Sequence, residues 1–326
     1  MKSSLDILEE VSHLYEGRPY HNIHHIRDML RLVPPNISEE DKKNLEIAII
    51  FHDIVYDPQL SNNEEKSVEF LNNFFTGREN EASFYDFNLI EKLILATKKH
   101  VFGNSDLEDI IISADLNIFN ENVSSLIEYE NQIFKEYEFV DIHEYIEKRV
   151  DFLKSMIEKI YSCKNKFNKS ATLNILQLIK YVRNRKYKIG IYAGSFNPFH
   201  VGHLNILRKS EEIFDKVIIA RGRNPEKEIP TEPLPSSLKN QKIEYCSLIT
   251  ELFENTENIS YFLIRGLRNE YDMASEENMR KWIRELNPSV QTVYFFCDPE
   301  YEHISSSQIK SLKMFSPESV EKYIVR

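Results

Sequence analysis

The fold is decided by the stretch Gly194-Ser195-Phe196-Asn197-Pro198-Phe199-His200-Val201-Gly202-His203. It follows a short apolar run, Lys188 to Tyr192, which predicts a buried strand. It precedes Leu204 to Phe214, where apolar residues recur at helical spacing. A strand that ends in a tight turn and opens a helix directs free backbone N–H groups and the positive end of the helix dipole to one point. Such a point suits an anion, and His200 and His203 could donate hydrogen bonds to phosphoryl oxygens there. The glycine between them would let a phosphate approach the backbone.

The composition bounds the class of protein. A chain of 326 residues is long enough for two domains, and 41% hydrophobic with 29% charged residues is typical of a soluble globular protein. A formal net charge of -11 disfavours nucleic acid or an anionic membrane as the main partner. Three widely spaced cysteines indicate a reducing compartment, and there is no apolar run long enough to span a bilayer. We therefore expect a cytoplasmic protein.

Residues 1–186 predict an all-α domain, because apolar residues recur there at helical spacing without a succession of strands. The predicted helices cover residues 4–15, 22–33, 40–55, 63–75, 86–100, 106–117, 120–138, 141–161 and 169–185. The domain boundary is placed just after a basic run that ends at Lys186. Such a run is usually a solvated helix C-terminus, where basic residues are favourable against the helix dipole.

Several polar residues of this helical domain interrupt apolar runs. His52 and Asp53 follow Ile47 to Phe51, and Asp115 ends the run Ile110 to Ala114. Burying an unpaired carboxylate is very unfavourable, which leaves pairing or a metal as the explanation. Each residue alone is compatible with an ordinary polar group. Together they form a mixed imidazole and carboxylate set, suited to a divalent ion such as Mn²⁺, Fe²⁺, Zn²⁺ or Mg²⁺: His25, His52, Asp53 and Asp115.

Three motifs carry a specific resemblance: YHNIHH (Tyr20 to His25), FHD (Phe51 to Asp53) and SADL (Ser113 to Leu116). They resemble the H…HD…D pattern of the HD superfamily of metal-dependent phosphohydrolases. The resemblance implies that the four residues above bind the metal, and that the domain hydrolyses a phosphoester or nucleotide. His21, at the first histidine of the YHNxxH pattern, would be the general acid for the leaving oxygen. Further candidates, for a second ion or a phosphate contact, are His100, Glu64, Glu65 and Arg149.

From residue 187 strands and helices alternate. The predicted strands are 188–193, 216–221, 259–265 and 291–297, with helices at 203–214, 237–254 and 271–286. This alternation predicts a Rossmann-like α/β domain with a parallel sheet covered on both faces, in which ligands bind beyond the carboxyl ends of the strands. Alone, the HxGH turn is equally compatible with two incidental histidines. A polar motif follows every predicted strand, which favours a phosphate site: His200 to His203, Asn224 to Lys227, Arg265 to Arg268 and Ile304 to Lys310.

This set of motifs resembles the HxGH nucleotidyltransferase superfamily, and within it the pantetheine-phosphate adenylyltransferases of coenzyme A biosynthesis. The resemblance implies adenylyl transfer from ATP, with Mg²⁺, to a phosphorylated acceptor such as 4'-phosphopantetheine, with release of pyrophosphate. By position, His203 and Lys227 would stabilise the transition state, and Ser195 and Arg265 would lie near the acceptor phosphate. The residues that would hold ATP are His200, Arg268, Glu276, Ser305, Ser306 and Ser307.

Some alternatives stay open from the sequence. The segment between Lys227 and Arg265 is shorter than in pantetheine-phosphate adenylyltransferases, and SFNPFHVGH also resembles nicotinate and nicotinamide mononucleotide adenylyltransferases. Glu276, eight residues after IRGLR, follows the pantetheine arrangement. We predict a bifunctional enzyme with an HD-type domain at 1–186 and a transferase domain at 187–326. The HD domain could instead be a nucleotide-sensing regulatory module, or the protein a non-catalytic nucleotide binder, and a homo-oligomer is left open.

Overall fold

The computed structural model describes residues 3–163, 166–222 and 233–325. The chain divides into two units. The first, called the helical unit, comprises Met1–Tyr137 and Tyr145–Arg183. The second, called the sheet unit, comprises Glu138–Glu144 and Asn184–Arg326. None of the helices in the described ranges combines the length and apolar character needed to cross a membrane.

The N-terminal region is helical, as predicted. Its helices are α1 (Ser4–Val11), α2 (Ile23–Arg31), α3 (Glu39–Phe51), α4 (Asn63–Phe75), α5 (Glu79–Ala82), α6 (Phe87–Lys99), α7 (Asp106–Asp115), α8 (Val123–Glu136), α9 (Ile142–Ser162) and α10 (Ala171–Asn184). The short helix α5 lies in a stretch for which no helix was predicted. The predicted helices 4–15 and 106–117 both end in 3-10 turns, at Ser12–Tyr15 and Leu116–Asn120.

Helix α3 lies at the centre of this unit. The hydroxyl of Ser38 accepts a hydrogen bond from the N–H of Asp41 and so caps its first turn. All five residues from Ile47 to Phe51 are fully buried. The helix ends earlier than the predicted 40–55, with His52 as its C-cap. The guanidinium of Arg18 donates to the carbonyls of Asp53 and Ile54, which replaces the bonds a continuing helix would make.

The described residues of the sheet unit form five parallel strands in the order β3-β2-β1-β4-β5. Along the chain its elements are β1 (Tyr187–Gly194), α11 (Val201–Glu211), β2 (Lys216–Gly222), β3 (Lys242–Cys246), β4 (Ile259–Leu267), α12 (Glu270–Leu286), β5 (Gln291–Phe296), α13 (Ser306–Phe315) and α14 (Pro317–Val320). Strand β1 is central and mostly buried, which explains its continuous apolar run. The prediction of a parallel α/β sheet is confirmed.

One predicted element is wrong. Residues 237–254 were expected to form a helix, but they contain two 3-10 turns and the edge strand β3. The outer edge of β2 needs hydrogen-bond partners for its N–H and C=O groups, and β3 provides them. An edge strand needs little apolar surface: Ile243 packs against the core, while Tyr245 is exposed. Pairing with a neighbouring strand therefore overrides a helical pattern that is only local.

Candidate active sites

The HxGH turn lies between β1 and α11. His200 is the N-cap residue of α11, and its backbone N–H lies 3.3 Å from Nδ1 of His203. The two imidazole rings stack with their centroids 3.6 Å apart. A Cβ on Gly202 would lie 3.1 Å from the His200 ring, so the room left by this glycine is used by that ring. The turn thus fixes both imidazoles side by side at the start of a helix.

Both imidazoles are neutral at pH 7. Burial lowers the pKa of His200 to about 4, and the nearby charge of Arg268 acts in the same direction. Burial, with the same arginine and with His200, also lowers the pKa of His203 well below its usual value. A neutral imidazole still offers one N–H donor. The pair is therefore suited to hydrogen bonding with a phosphate rather than to neutralising its charge.

A cavity of about 190 Å³ lies in front of this turn. It brings together five of the residues predicted to handle ATP and its α-phosphate: His200, His203, Arg268, Ser305 and Ser306. The hydroxyl of Ser306 donates to the carbonyl of Pro198 at 3.0 Å, which links the start of α13 to the HxGH turn. Ser307 lies within the first turn of α13 and does not line this cavity. Lys227 and the rest of Asn224 to Lys227 lie outside the described residues.

A second cavity, of about 530 Å³, lies on the other side of the end of β1. It is lined by Ser195 and Arg265, the two residues predicted to lie near the acceptor phosphate. Much of the remaining wall is apolar and comes from Leu248, Met279 and Trp282, with hydroxyl groups nearby on Ser247 and Thr250. The structure therefore separates the residues assigned to ATP from those assigned to the acceptor.

Glu276 does not lie with the other residues predicted to bind ATP. Its carboxylate accepts two hydrogen bonds from Arg265, at 2.6 Å from Nε and 2.5 Å from a terminal nitrogen, and it does not line the cavity that contains His200. A matching pair joins Arg268 to Asp272, at 2.9 and 2.8 Å. Hydrogen bonds from Arg268 lower the pKa of the Asp272 carboxyl. Sequence reasoning missed Asp272, although its spacing of four from Arg268 was a usable signal.

In the helical unit, the four predicted metal ligands lie close together. Single ligand atoms of His25, His52 and Asp53 all lie within 4.8 Å of one another. Oδ1 of Asp115 lies 3.1 Å from Nε2 of His25 and 3.9 Å from Nε2 of His52. These residues come from α2, the end of α3 and the end of α7.

His52 shows that this cluster fits a cation. Its Nδ1 lies 2.9 Å from the carbonyl of Ile49, so this nitrogen carries the proton and the Nε2 lone pair is turned inwards. Nε2 is buried with no hydrogen-bond partner among the described residues, although Oδ2 of Asp53 is only 3.0 Å away. A lone pair next to carboxylates needs a cation or a proton. Burial alone would lower the pKa of His52, but the charges of Asp53 and Asp115 raise it to about 9.

His21, the predicted general acid, is held by a carboxylate. Its Nδ1 lies 2.6 Å from Oε2 of Glu136, whose other oxygen accepts the backbone N–H groups of Tyr20 and His21. The ring of Tyr56 stacks on His21, and its hydroxyl donates to Oε2 of Glu136 at 3.0 Å. Burial alone would lower the pKa of His21, but the hydrogen bond and charge of Glu136 raise it. Sequence reasoning missed Glu136 because it lies far from His21 along the chain.

The further candidates separate into two groups. His100 belongs to the cluster, with Nε2 at 2.9 Å from Oδ2 of Asp115. Glu64 and Glu65 instead pair with Lys98. Arg149 is buried against Glu130, at 2.8 Å, under the ring of Tyr129. Arg149 therefore packs beside Tyr129 in the interior, and its phosphate contact stays a prediction.

A cavity of about 590 Å³ adjoins the cluster through His25 and Asp115. Its wall includes the aromatic rings of Tyr20 and Tyr129. Besides Asp115, the carboxylates that line it are those of Asp28, Glu121 and Glu128, against a single arginine, Arg31. That arginine already pairs with Asp28 at 2.5 Å. The cavity is therefore net negative in the absence of a metal.

Comparison with known proteins defines the class of the sheet unit. A family model described as cytidylyltransferase-like matches residues 191–312, the region of the parallel sheet and the HxGH turn. This region is a nucleotidyltransferase domain of that class.

The relatives narrow the class. A phosphopantetheine adenylyltransferase from Mycoplasma capricolum is 35% identical over 143 residues, which is 39% of this chain and 98% of that protein. Proteins of the same name from Caldanaerobacter subterraneus and Chromobacterium violaceum are 33% and 31% identical and are covered to 85% and 82%. Through this region the chain belongs to the phosphopantetheine adenylyltransferase family, and the prediction of an adenylyltransferase is confirmed at that level.

A solved structure from Vibrio parahaemolyticus, provisionally named as a nicotinate-nucleotide adenylyltransferase, is also similar. It shares 16% identity at a TM-score of 0.29 and covers 43% of this chain and 94% of its own.

Proposed function

We propose that residues 187–326 transfer the adenylyl group of ATP to 4'-phosphopantetheine. The choice of 4'-phosphopantetheine as the acceptor rests on the residues that line the 530 Å³ cavity. Among the described residues that line it, Arg265 is the only charged one, so it offers one site for one phosphate. The apolar wall around Trp282 suits an uncharged arm, and Ser247 and Thr250 can bond its amide groups. A nicotinate or nicotinamide ring would bring a charged pyridinium that none of the described lining side chains pairs.

The reaction needs little from the protein beyond position and charge stabilisation. A phosphate oxygen of the acceptor attacks the α-phosphorus of ATP, and pyrophosphate leaves; Mg²⁺ bound to the ATP substrate would offset charge on its phosphates. Arg265 would hold the acceptor phosphate, while Arg268 and the start of α13 would hold the nucleotide. His203, neutral and braced by His200, would donate its N–H to the α-phosphate as charge develops on it. Lys227 is proposed to act beside it.

The test is pyrophosphate release from ATP and Mg²⁺ with each of three acceptors: 4'-phosphopantetheine, nicotinate mononucleotide and nicotinamide mononucleotide. We expect release with the first, and a loss of about 100-fold or more in His203→Ala, the size seen when a transition-state donor is removed. The control is His303→Ala, which lines neither the 190 Å³ nor the 530 Å³ cavity. Release only with a mononucleotide would assign the other acceptor. Release with none, or an unchanged His203→Ala, would reject the transferase proposal.

We further propose that residues 1–186 form an HD-type phosphohydrolase, supported by the convergence of His25, His52, Asp53 and Asp115. A divalent metal held by these four residues would polarise a phosphoryl oxygen and make water a better nucleophile at neutral pH. His21, kept protonated by Glu136, would donate its proton to the leaving oxygen. Tyr56 would hold both groups in place through its stacking and its hydrogen bond.

The adjoining cavity supports a preference among substrates. Its carboxylates would repel extra phosphates, so we expect nucleoside monophosphates to be hydrolysed faster than the corresponding triphosphates. Elemental analysis and assays with Mn²⁺ test the proposal. His52→Ala should lose both metal and activity, whereas His13→Ala, an exposed histidine of the same unit, should keep both. A chain that binds metal without turnover, and whose transferase rate changes in His52→Ala, would instead be a regulatory module. No bound or activating metal would reject the hydrolase.

A further inference from the structure

One face of α12 carries both carboxylates that hold the arginines of the transferase site. Asp272 and Glu276 are four residues apart and so project from the same side of the helix. Asp272 binds Arg268, which lines the cavity with the HxGH histidines, and Glu276 binds Arg265, which lines the cavity with Trp282. Side chains of a single helix, α12, thus bind the arginine that lines each cavity.

The two pairs use the same part of the guanidinium group. In each, the carboxylate accepts from Nε and from one terminal nitrogen. A guanidinium has five N–H donors in a rigid plane, so two of them are used in this way. Arg265 uses one further N–H donor in a hydrogen bond to the carbonyl of Ala193, at 3.2 Å. Each arginine therefore keeps donors on its terminal nitrogens, and these can bind a phosphate while the carboxylate stays in place.

We propose that Asp272 and Glu276 are positioning residues, each of which orients one arginine for one substrate: Asp272 for the nucleotide and Glu276 for the acceptor phosphate. The inference rests on the proposed function and assigns Glu276 to the acceptor side. Orientation matters because a bidentate guanidinium contact depends on the plane of the group as well as on its charge. Without the carboxylate contact, the long arginine side chain would be free to change rotamer and would lose that freedom on binding. The affinity for the substrate phosphate would therefore fall.

The opposite effect is the natural rival. If the carboxylates compete with phosphate for the arginines, removing one of them would tighten binding. Neutral variants separate the two ideas, because Glu276→Gln and Asp272→Asn keep the size of the side chain. A third pair on α12 is the matched control: Glu277 binds Arg280 at 2.7 and 2.5 Å, and neither residue lines either cavity.

The experiment measures KM for each substrate, with dissociation constants for ATP and for 4'-phosphopantetheine from calorimetry, in the full-length chain. We expect Glu276→Gln to raise the acceptor KM about tenfold with the ATP KM within twofold. Asp272→Asn should do the reverse, Asp272→Glu should recover part of the loss, and Glu277→Gln should change neither. Equal changes in both KM values, or tighter binding in either variant, would overturn the inference. Because binding is read without turnover, a wild-type chain that binds both ligands but releases no pyrophosphate would reject only the transferase proposal. A wild-type chain that binds neither ligand would overturn both the transferase proposal and this inference.

Discussion

Acidification should destabilise the sheet unit through His200. The pKa of this imidazole is about 4 in the folded chain, against 6.5 for an unperturbed histidine. The unfolded chain therefore takes up the proton first, and stability falls as the pH drops from about 6.5 to about 4. A difference of about 2.5 units at 1.36 kcal/mol per unit gives a loss of about 3 kcal/mol. Below pH 4 both states are protonated and this contribution stops changing.

The measurement is urea unfolding of the wild type and of His200→Gln at pH 7 and pH 4. Trp282 is the only tryptophan of the chain and lies on α12, so its fluorescence reports on the sheet unit. We expect the wild type to lose about 3 kcal/mol more than the variant between the two pH values. His52, whose pKa is raised to about 9, also contributes to the pH dependence, but both proteins contain it and its contribution cancels in the difference. Parallel losses in the two proteins would refute the reasoning, since they would mean that the folded imidazole titrates like a free one.

Three further outcomes follow from single contacts. Arg149→Met leaves the buried carboxylate of Glu130 without its counter-charge, although the hydroxyl of Tyr145 still donates to it, so we expect a loss of about 3–5 kcal/mol in urea unfolding with an unchanged metal content. Gly194→Ala would put a Cβ 2.8 Å from the ring of Phe196, and the purified variant should lose ATP binding by calorimetry while its metal content stays normal. Tyr56→Phe removes one hydrogen bond from Glu136, and the free energy of unfolding should fall by about 1 kcal/mol. A cost near zero for Arg149→Met, normal ATP binding in Gly194→Ala, or an unchanged free energy of unfolding in Tyr56→Phe would contradict these expectations.

Much of the fold could be predicted because local patterns and tertiary packing agree. The strands β1, β2, β4 and β5 lie within one or two residues of their predicted ends, since each is a largely apolar run between polar turns. Strand β3 could not be predicted, because its residues are partly exposed and its pairing with β2 is set by the sheet edge. The end of α3 was also missed, since it depends on Arg18, which lies far away along the chain.

The sites followed the same rule. Residues within a motif, such as His200 with His203 or His52 with Asp53, were found because their chemistry is unusual for their position. Partners outside any motif were missed: nothing in the sequence connects Glu136 to His21, and the role of Glu276 depends on which arginine it meets in space. For Arg149, too, nothing in the sequence indicates its partner, the buried carboxylate of Glu130.

The short segment Glu138–Glu144 belongs to the sheet unit although it precedes α10 by many residues. Its Val140 carbonyl accepts from the ammonium of Lys216, a residue at the first position of β2 that is almost completely buried. A gene truncated to start at residue 187 would therefore encode a sheet without this carbonyl. A loss of activity in such a truncated protein could come from the missing segment Glu138–Glu144. It can be attributed to separation of the two units only if a circularly permuted variant that restores this segment is inactive too.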